Sequence, residues 1–359
     1  MRFPVWSASL ATAMATAIML APQAVSGRTV LPDDPLLAGQ VVISGDWAFA
    51  CSQRVCSAVG VPAADPAQRD EREVQPIVVR LLFVSGPKGE RIARLHLKDE
   101  NGSLAGTPFG AAARHGADGF AVPDDQFDSL LKQLSDPGSD RLVRRVADGT
   151  IVARLPRHGF AWGLAALQRV LALHADRPPV PLDPAIRIDN VVTIRQGRPV
   201  PVRSLPPVTR ATCDAGMAEL TAWTHQLGNG KSLLEYRCGE AGAFGPRSLW
   251  FTQDSAGAPL EPLILPDPAG RPIDAGQEWL YGTSLDSGIL LGAVTYGSIA
   301  TSTLSLDCGK RWLWVLTEDG FRLIAKQEMP ICGSGLPKDN WLLTYDTSLS
   351  DSPNLDAGG

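Results

Sequence analysis

Six cysteines fall along the chain as three couples, and this spacing limits the possible folds more than any other feature of the sequence. The couples are Cys51 with Cys56, Cys213 with Cys238, and Cys308 with Cys332. Six cysteines allow fifteen disulfide connectivities, and sequence alone does not choose among them. If each cysteine pairs with its neighbour, one small loop and two loops of about 25 residues are closed. The chain-entropy model then gives a stabilisation of roughly 2 kcal/mol for the small loop and about 3.5 kcal/mol for each long one.

A structural metal site is the alternative use of such cysteines. Four residues separate Cys51 from Cys56, which is wider than the usual zinc knuckle, and no second knuckle or nearby histidine completes four ligands. None of the histidines shows HxH, HxxH or HExxH spacing; they are His96, His115, His158, His174 and His225. We therefore expect disulfides and predict neither metal nor cofactor, with only a metal site assembled from distant residues left open.

The first 26 residues have the organisation of a secretory signal peptide. Arg2 supplies a positive start, residues 4–21 carry no charge, and Ala24-Val25-Ser26 fits the small-x-small cleavage pattern. We predict cleavage after Ser26; the alternative is an uncleaved membrane anchor, for which this apolar run is short. No later apolar stretch approaches ~20 residues, so we expect no membrane span after cleavage. A Sec-type export signal predicts a periplasmic protein, in a compartment where disulfides form.

The charge balance excludes one class of partner. The chain carries a formal net charge of −5 and has no block of basic residues. Nucleic-acid binding depends on lysine and arginine that neutralise phosphates, so no nucleic-acid partner is expected. For an exported acidic protein, we expect the partner to be an envelope component or another protein, whose identity the sequence does not give.

Hydrophobic periodicity and turn signals predict an α+β fold that is predominantly antiparallel β, with two disulfide-stabilised domains. Eight prolines between Arg177 and Pro207 rule out a long helix there and mark a boundary. The resulting segments are an N-terminal α+β domain over 27–176, a Pro-rich linker over 177–207, a C-terminal β-rich domain over 208–347 and a disordered tail over 348–359.

Three helices are predicted. One starts at Asp124 with an acidic cap, carries Phe127, Leu130, Leu131 and Leu134 at helical spacing, and stops at Asp136. A second runs from Phe160 to His174 and is apolar round most of its circumference, so we expect it to be buried on nearly all sides. A third, shorter helix is capped by Asp214 and runs through Trp223.

Several hairpins are also predicted. One is pinned by the first cysteine couple, one turns at Asp148-Gly149, and one turns at Asn229-Gly230. The clearest has strands 312–316 and 321–325 around Glu318-Asp319-Gly320, with Cys308 and Cys332 just outside its open end.

Trp312 and Trp314 share one face of that hairpin and have two interpretations. The functional one is a stacking platform for a sugar or peptide, with Arg322 of the facing strand able to stack on an exposed tryptophan. The structural one is packing in the core of a β domain, where large aromatic side chains contribute most of the buried area.

No catalytic constellation is visible in the sequence. The chain has no GxSxG elbow, and Gly228-Asn229-Gly230-Lys231-Ser232 lacks the first glycine of a phosphate loop. We therefore predict no catalytic residue. A glycosidase-type carboxylate pair stays open, because its members would be distant in sequence.

The ordered set of motifs resembles a family of secreted or periplasmic proteobacterial proteins that is defined only as a domain of unknown function. The matching stretches are Asp46–Cys51 through Cys56–Gly60, Leu155–Gly159 into Leu164–Leu167, Tyr236–Phe244, Asp307-Cys308-Gly309, Trp312–Trp314, Phe321–Leu323 and Cys332-Gly333. The chain departs from the family at Ser52-Gln53, Leu306 and Gly333. The opening segment is also similar to invasion-associated locus B proteins. Neither resemblance implies an established activity.

These observations favour an exported, non-catalytic protein with a binding or structural role in the envelope. The alternative is an envelope hydrolase whose site is assembled from distant loops. The hydrolase predicts a concave site with convergent carboxylates or histidines whose pKa values are perturbed.

Overall fold

The structure is a computed structural model, and it describes residues 36, 39–52, 55–62, 74–84, 89–97, 104–109, 119–139, 141–175, 197–200, 221–227, 230–238, 247–255, 258–267, 271–278, 280–286, 289–295, 307–317 and 320–346. The predicted α+β class with predominantly antiparallel sheets is confirmed. The predicted signal peptide and C-terminal tail lie outside the described residues.

The first sheet has eight strands. Its strands are β1 (Val42–Ser44), β2 (Trp47–Cys51), β3 (Val55–Gly60), β4 (Gln75–Val84), β5 (Arg91–Leu97), β6 (Phe120–Ala121), β7 (Leu142–Arg144) and β8 (Ile151–Arg154). The first six pair in chain order, and every one of those pairings is antiparallel. β8 pairs with β7 in the predicted hairpin and runs parallel to the start of β4.

The second sheet has ten strands in the order β20-β19-β18-β17-β16-β12-β11-β10-β9, with β13 paired to β12. Its strands are β9 (Arg198–Val200), β10 (Thr221–Gln226), β11 (Ser232–Cys238), β12 (Arg247–Gln253), β13 (Glu261–Pro262), β16 (Leu280–Asp286), β17 (Ile289–Thr295), β18 (Gly309–Thr317), β19 (Gly320–Met329) and β20 (Leu342–Asp346). A separate small hairpin joins β14 (Ile264–Leu265) to β15 (Ile273–Asp274).

Two α-helices are described, and a short 3-10 helix, Lys338–Asn340, precedes β20. α1 (Asp124–Ser135) has the predicted bounds, but its N-cap is Pro123, which makes no side-chain capping bond, and the acidic residues occupy the first turn. α2 (Phe160–Ala175) is also at the predicted position. The predicted helix ending at Trp223 is wrong there, because Trp223 lies in β10. Neither described α-helix combines the length and the apolar character that a membrane-spanning helix needs.

Both faces of the first sheet are buried around β2 and β3, and β2 illustrates how the sequence achieves this. Its large side chains, Trp47 and Phe49, point towards the helices, where the Trp47 ring lies 4.5 Å from that of Phe160. The alternate positions are small: Ala48 and Ala50 join a second cluster on the opposite face. Because side chains of a strand alternate between faces, large residues alternating with alanine let two different partners cover one strand.

The second face of the first sheet is covered by the C-terminal part of the chain. Its cluster combines Val59 and Val78 with buried residues from the C-terminal part of the second sheet and the segments next to it, which are Cys308, Met329, Leu336, Trp341 and Leu342. Arg80 Nη1 donates a 2.7 Å hydrogen bond to Asn340 Oδ1 beside this cluster. The two sheets therefore share a continuous apolar contact.

α2 is not buried on nearly all sides, which corrects the prediction from its composition. Phe160, Leu167 and Val170 lie in the core, but the opposite face is exposed and Trp162 is 57% accessible. The apolar composition was misleading because much of the exposed face is alanine, which helices tolerate at no side-chain entropy cost.

Gly163 of α2 allows this helix to approach β2. A Cβ added at this position would lie 2.0 Å from Cζ of Phe49. We expect Gly163→Ala to lower the free energy of unfolding by about 1–3 kcal/mol, because the clash outweighs the better helix propensity of alanine. Urea denaturation measures this. Ala165→Gly, at an exposed position of the same helix, is the control and should cost only about 1 kcal/mol. A stabilised Gly163→Ala variant would contradict the packing described.

Two of the three cysteine couples are bonded as sequential pairing predicts. Cys51 pairs with Cys56 at the end of the β2–β3 hairpin, and Cys308 pairs with Cys332 across the open end of the β18–β19 hairpin. The Cys213 to Cys238 pairing lies outside the residues whose side chains are described. The division into two domains stays a prediction; Arg198–Val200 of the predicted linker form strand β9 of the second sheet.

Loop length predicts which disulfide contributes more to the free energy of unfolding. Cys308 and Cys332 are 24 residues apart and Cys51 and Cys56 are 5 apart. Replacing Cys308 and Cys332 with alanines should lower the free energy of unfolding by about 3.5 kcal/mol, because a longer loop constrains the unfolded chain more. Replacing Cys51 and Cys56 with alanines should lower it by about 2 kcal/mol. Urea denaturation of the two double variants under non-reducing conditions tests the order. A larger loss from the short loop would contradict it.

Candidate functional site

Trp312 and Trp314 lie in the core of the second sheet, as the interpretation of core packing predicts, and do not form a stacking platform. Trp314 is fully buried and Trp312 is 6% exposed, and their rings stack at 6.0 Å between centroids. The indole Nε1 of Trp314 donates to the carbonyl of Pro266 at 2.8 Å, and that of Trp312 donates to Asp267 Oδ2 at 3.2 Å. Their rings are thus covered by protein and offer no open platform.

Arg322 does not stack on this pair. It is the cross-strand partner of Val315, so it lies on the opposite face of the sheet from Trp314. The cation near the tryptophans is Lys326, whose Nζ lies 5.9 Å from the ring centroid of Trp312 and 2.8 Å from Asp267 Oδ2. Lys326 and Asp267 are both nearly fully buried, so this group is a neutralised ion pair inside the core.

A second buried polar cluster lies on β10, β11 and β12, and it is the best candidate for a functional site. Trp223, Glu235 and Trp250 are cross-strand partners in one row on the same face. Alternation adds His225 from β10 and, from β11 and β12, the facing pair Arg237 and Ser248. We call these six residues the Glu235 cluster.

Glu235 is the centre of this cluster and is fully buried. Arg237 holds its carboxylate with two bonds, Nε to Oε1 at 2.7 Å and Nη2 to Oε2 at 2.8 Å. Ser248, also fully buried, donates its hydroxyl to Oε1 at 2.8 Å. Bidentate arginine–carboxylate pairing of this kind is both strong and geometrically specific.

His225 approaches the same carboxylate from the other side. Its Nε2 lies 3.4 Å from Oε2 of Glu235, without the alignment of a hydrogen bond, and its ring stacks on Trp250 at 5.7 Å. Gly197, next to β9, makes room for it, because a Cβ there would lie 2.6 Å from the imidazole Cε1. In the described part of the chain, His225 Nε2 and Trp250 Nε1 are buried without a hydrogen-bond partner.

The partners decide the protonation of Glu235. Burial alone would raise the pKa of Glu235, but the neighbouring imidazole, the guanidinium of Arg237 and the hydroxyl of Ser248 together hold it below the ordinary value of 4.5. The carboxylate therefore stays ionised at neutral pH. An ionised carboxylate saturated by an arginine is a weak general base, and here it is closed off from solvent.

Only part of the cluster reaches the surface. The side chain of Arg237 is 32% exposed, and Trp223 is half-buried with its ring centroid 5.3 Å from the guanidinium carbon. Nε and Nη2 of Arg237 are directed to Glu235, and across the described ranges its Nη1 has no hydrogen bond. The cluster thus presents one fixed cation and one aromatic ring to solvent.

The other parts of the structure that were candidates for a metal site or a catalytic cavity offer weaker evidence for a functional site. No group of three or more His, Cys, Asp or Glu side chains able to hold a metal occurs among the residues that the structure describes. A cavity of about 160 Å³ beside α1 has no carboxylate or histidine in its wall, which is formed by Pro108, Phe109, Gln126, Ser129, Gln133, Leu142, Val143 and Arg144.

No protein-family model, curated protein sequence or solved structure matches the chain.

Proposed function

We propose that this chain is an exported protein of the bacterial envelope that binds a partner or envelope component without altering it chemically. The two disulfides fit a periplasmic or extracellular protein. The finer assignment to the periplasm rests on the signal-peptide pattern of residues 1–26.

The observation that carries the proposal is the division of the Glu235 cluster into a closed and an open part. The groups with acid–base chemistry, Glu235 and His225, are buried, while the groups suited to recognition, Arg237 and Trp223, are accessible. Catalysis requires the reacting groups to contact the substrate, whereas recognition requires only a rigid, partly desolvated surface.

An envelope hydrolase is the second candidate, and one observation favours it. A carboxylate, an imidazole and a hydroxyl converge from three strands, with Ser248 Oγ 2.8 Å from Glu235. Against it, Ser248 is fully buried and its hydroxyl is donated to a carboxylate rather than to a histidine. A serine nucleophile needs the reverse arrangement, with its proton taken by a base and its oxygen open to the substrate.

One experiment on the secreted, oxidised protein separates these functions. A photo-crosslinking amino acid at Thr221, the exposed neighbour of Arg237 on β10, should capture a reproducible envelope component in the producing cells. The same probe at Val146, exposed in the turn between β7 and β8, is the control. Chromogenic ester, glycoside and peptide substrates are assayed in parallel with Ser248→Ala. Turnover abolished by Ser248→Ala would overturn the binding proposal in favour of the hydrolase.

A further inference from the structure

We infer that Arg237 and Trp223 form a receptor for an oxyanion, a carboxylate or phosphate group carried on a ligand with an apolar or ring-shaped body. This inference rests on the proposed binding function and names its ligand class.

Glu235 fixes the orientation of the Arg237 guanidinium. Two of its three nitrogens are bonded to the carboxylate at 2.7 and 2.8 Å, and the Trp223 ring lies against the guanidinium carbon at 5.3 Å. A free arginine loses considerable rotamer entropy when it binds an anion, and here that loss has occurred on folding. The two remaining N–H donors of Nη1 therefore have fixed directions before any ligand arrives.

The charges of the pair are unequally accessible. Glu235 is fully buried, whereas the side chain of Arg237 is 32% exposed, so a solute meets the cation and not its counterion. Three hydrogen bonds from Arg237 and Ser248 hold the two oxygens of Glu235, and because the carboxylate is fully buried an incoming anion does not contact it. The surface thus favours an oxyanion, which a guanidinium recognises through directed N–H donors.

Trp223 supplies the second element of recognition. Its half-buried indole lies next to the guanidinium and has Pro199 of β9 as its cross-strand partner. The ring can pack against the apolar body of a ligand while the neighbouring guanidinium binds its anionic group, so both contacts add to the affinity. We therefore expect a ring-bearing anion to bind more tightly than the bare ion.

The test is a calorimetric titration of the full oxidised chain with phenyl phosphate, benzoate, inorganic phosphate and, as a neutral control, phenol. Phenyl phosphate or benzoate should bind more tightly than inorganic phosphate, and phenol should not bind measurably; the comparison of the first two shows whether phosphate or carboxylate is preferred. Arg237→Gln should weaken binding about tenfold or more, because a charge-assisted hydrogen bond is lost. Arg237→Lys should recover little of it, since lysine lacks the planar fork.

The matched control is Arg198→Gln. Arg198 is an exposed arginine of the adjacent strand β9, and its pairing with Thr224 places it on the other face of the sheet. Circular dichroism and thermal melts check that each variant is folded, and Trp223→Leu reports on the contribution of the aromatic ring while the charge of Arg237 is kept.

Three outcomes would overturn the inference: no anion binding by the wild-type protein, unchanged binding by folded Arg237→Gln and Arg237→Lys, or equal loss in Arg198→Gln. None of these affects the capture of an envelope partner, so the binding function can survive the failure of the oxyanion site. Conversely, a measured turnover would remove the proposed function without removing anion binding.

Discussion

Asp267→Ala is expected to lower the free energy of unfolding by about 3–5 kcal/mol, because it leaves the ammonium of Lys326 buried with no counterion. Both side chains are more than nine-tenths buried, at 8% exposure for Lys326 and 5% for Asp267, and Nζ lies 2.8 Å from Oδ2. The same change removes the acceptor of Trp312 Nε1. Urea denaturation at neutral pH measures the loss.

The chain contains a matched exposed pair that serves as the control. Lys231 and Asp254 are also 2.8 Å apart, but their side chains are 52% and 71% exposed. Asp254→Ala should leave the urea midpoint almost unchanged, since water replaces the lost partner. In addition, the double variant Lys326→Met with Asp267→Leu should recover most of the stability, because an apolar pair of similar volume needs no desolvation of charge. Equal losses from Asp267→Ala and Asp254→Ala would contradict the burial of the pair.

Glu235→Gln is expected to cost about 3 kcal/mol of unfolding free energy and to flatten its dependence on acid pH. The cost lies at the lower end for a buried pair because Arg237 is 32% exposed and water can solvate the freed guanidinium. The pKa of Glu235 is held below its ordinary value of 4.5 in the folded state, so the folded protein favours the ionised form. This contribution is fully present above the unfolded pKa and is lost as pH falls through the lower, folded value.

Urea midpoints measured from neutral pH down to about pH 3 test this sign. The wild type should lose stability below about pH 5, and Glu235→Gln should lose less over the same interval. Glu261→Gln, at an exposed position of β13, is the control and should follow the wild-type curve. A Gln variant with the same acid slope as the wild type would show that Glu235 does not carry this linkage.

Local patterns were sufficient to predict much of the fold. The β18–β19 hairpin was predictable because its turn residues, alternating side chains and flanking cysteines all indicate the same pairing. β16 and β20 were not predicted. β16 pairs with β12, which is distant in sequence, and no turn signal marks the pairing of β20 with β19. Trp223 was assigned to a helix because an N-cap residue precedes it, although pairing with β11 makes it a strand.

The Glu235 cluster was only partly accessible to sequence reasoning. The Asn229-Gly230 turn predicted the hairpin, and alternation from that turn places His225 and Trp223 on the same face as Glu235 and Arg237. Which face is buried depends on β12 and on the strands beyond it, and no periodicity within the hairpin contains that information. The tryptophans of β18 attracted attention because they are conspicuous in the sequence, whereas a charged pair inside a short strand is not.

The shared contact between the sheets also dictates when the molecule can be complete. Ala48 and Trp341 belong to one apolar cluster, although about 290 residues of chain separate them. During synthesis the early strands can pair with one another, but their second face has no cover until the last strands arrive. Closing so long a loop is slow, and an uncovered apolar sheet tends to aggregate. The segment from Cys308 to Leu342 thus decides whether the strands that carry Ala48, Val59 and Val78 reach their native surroundings.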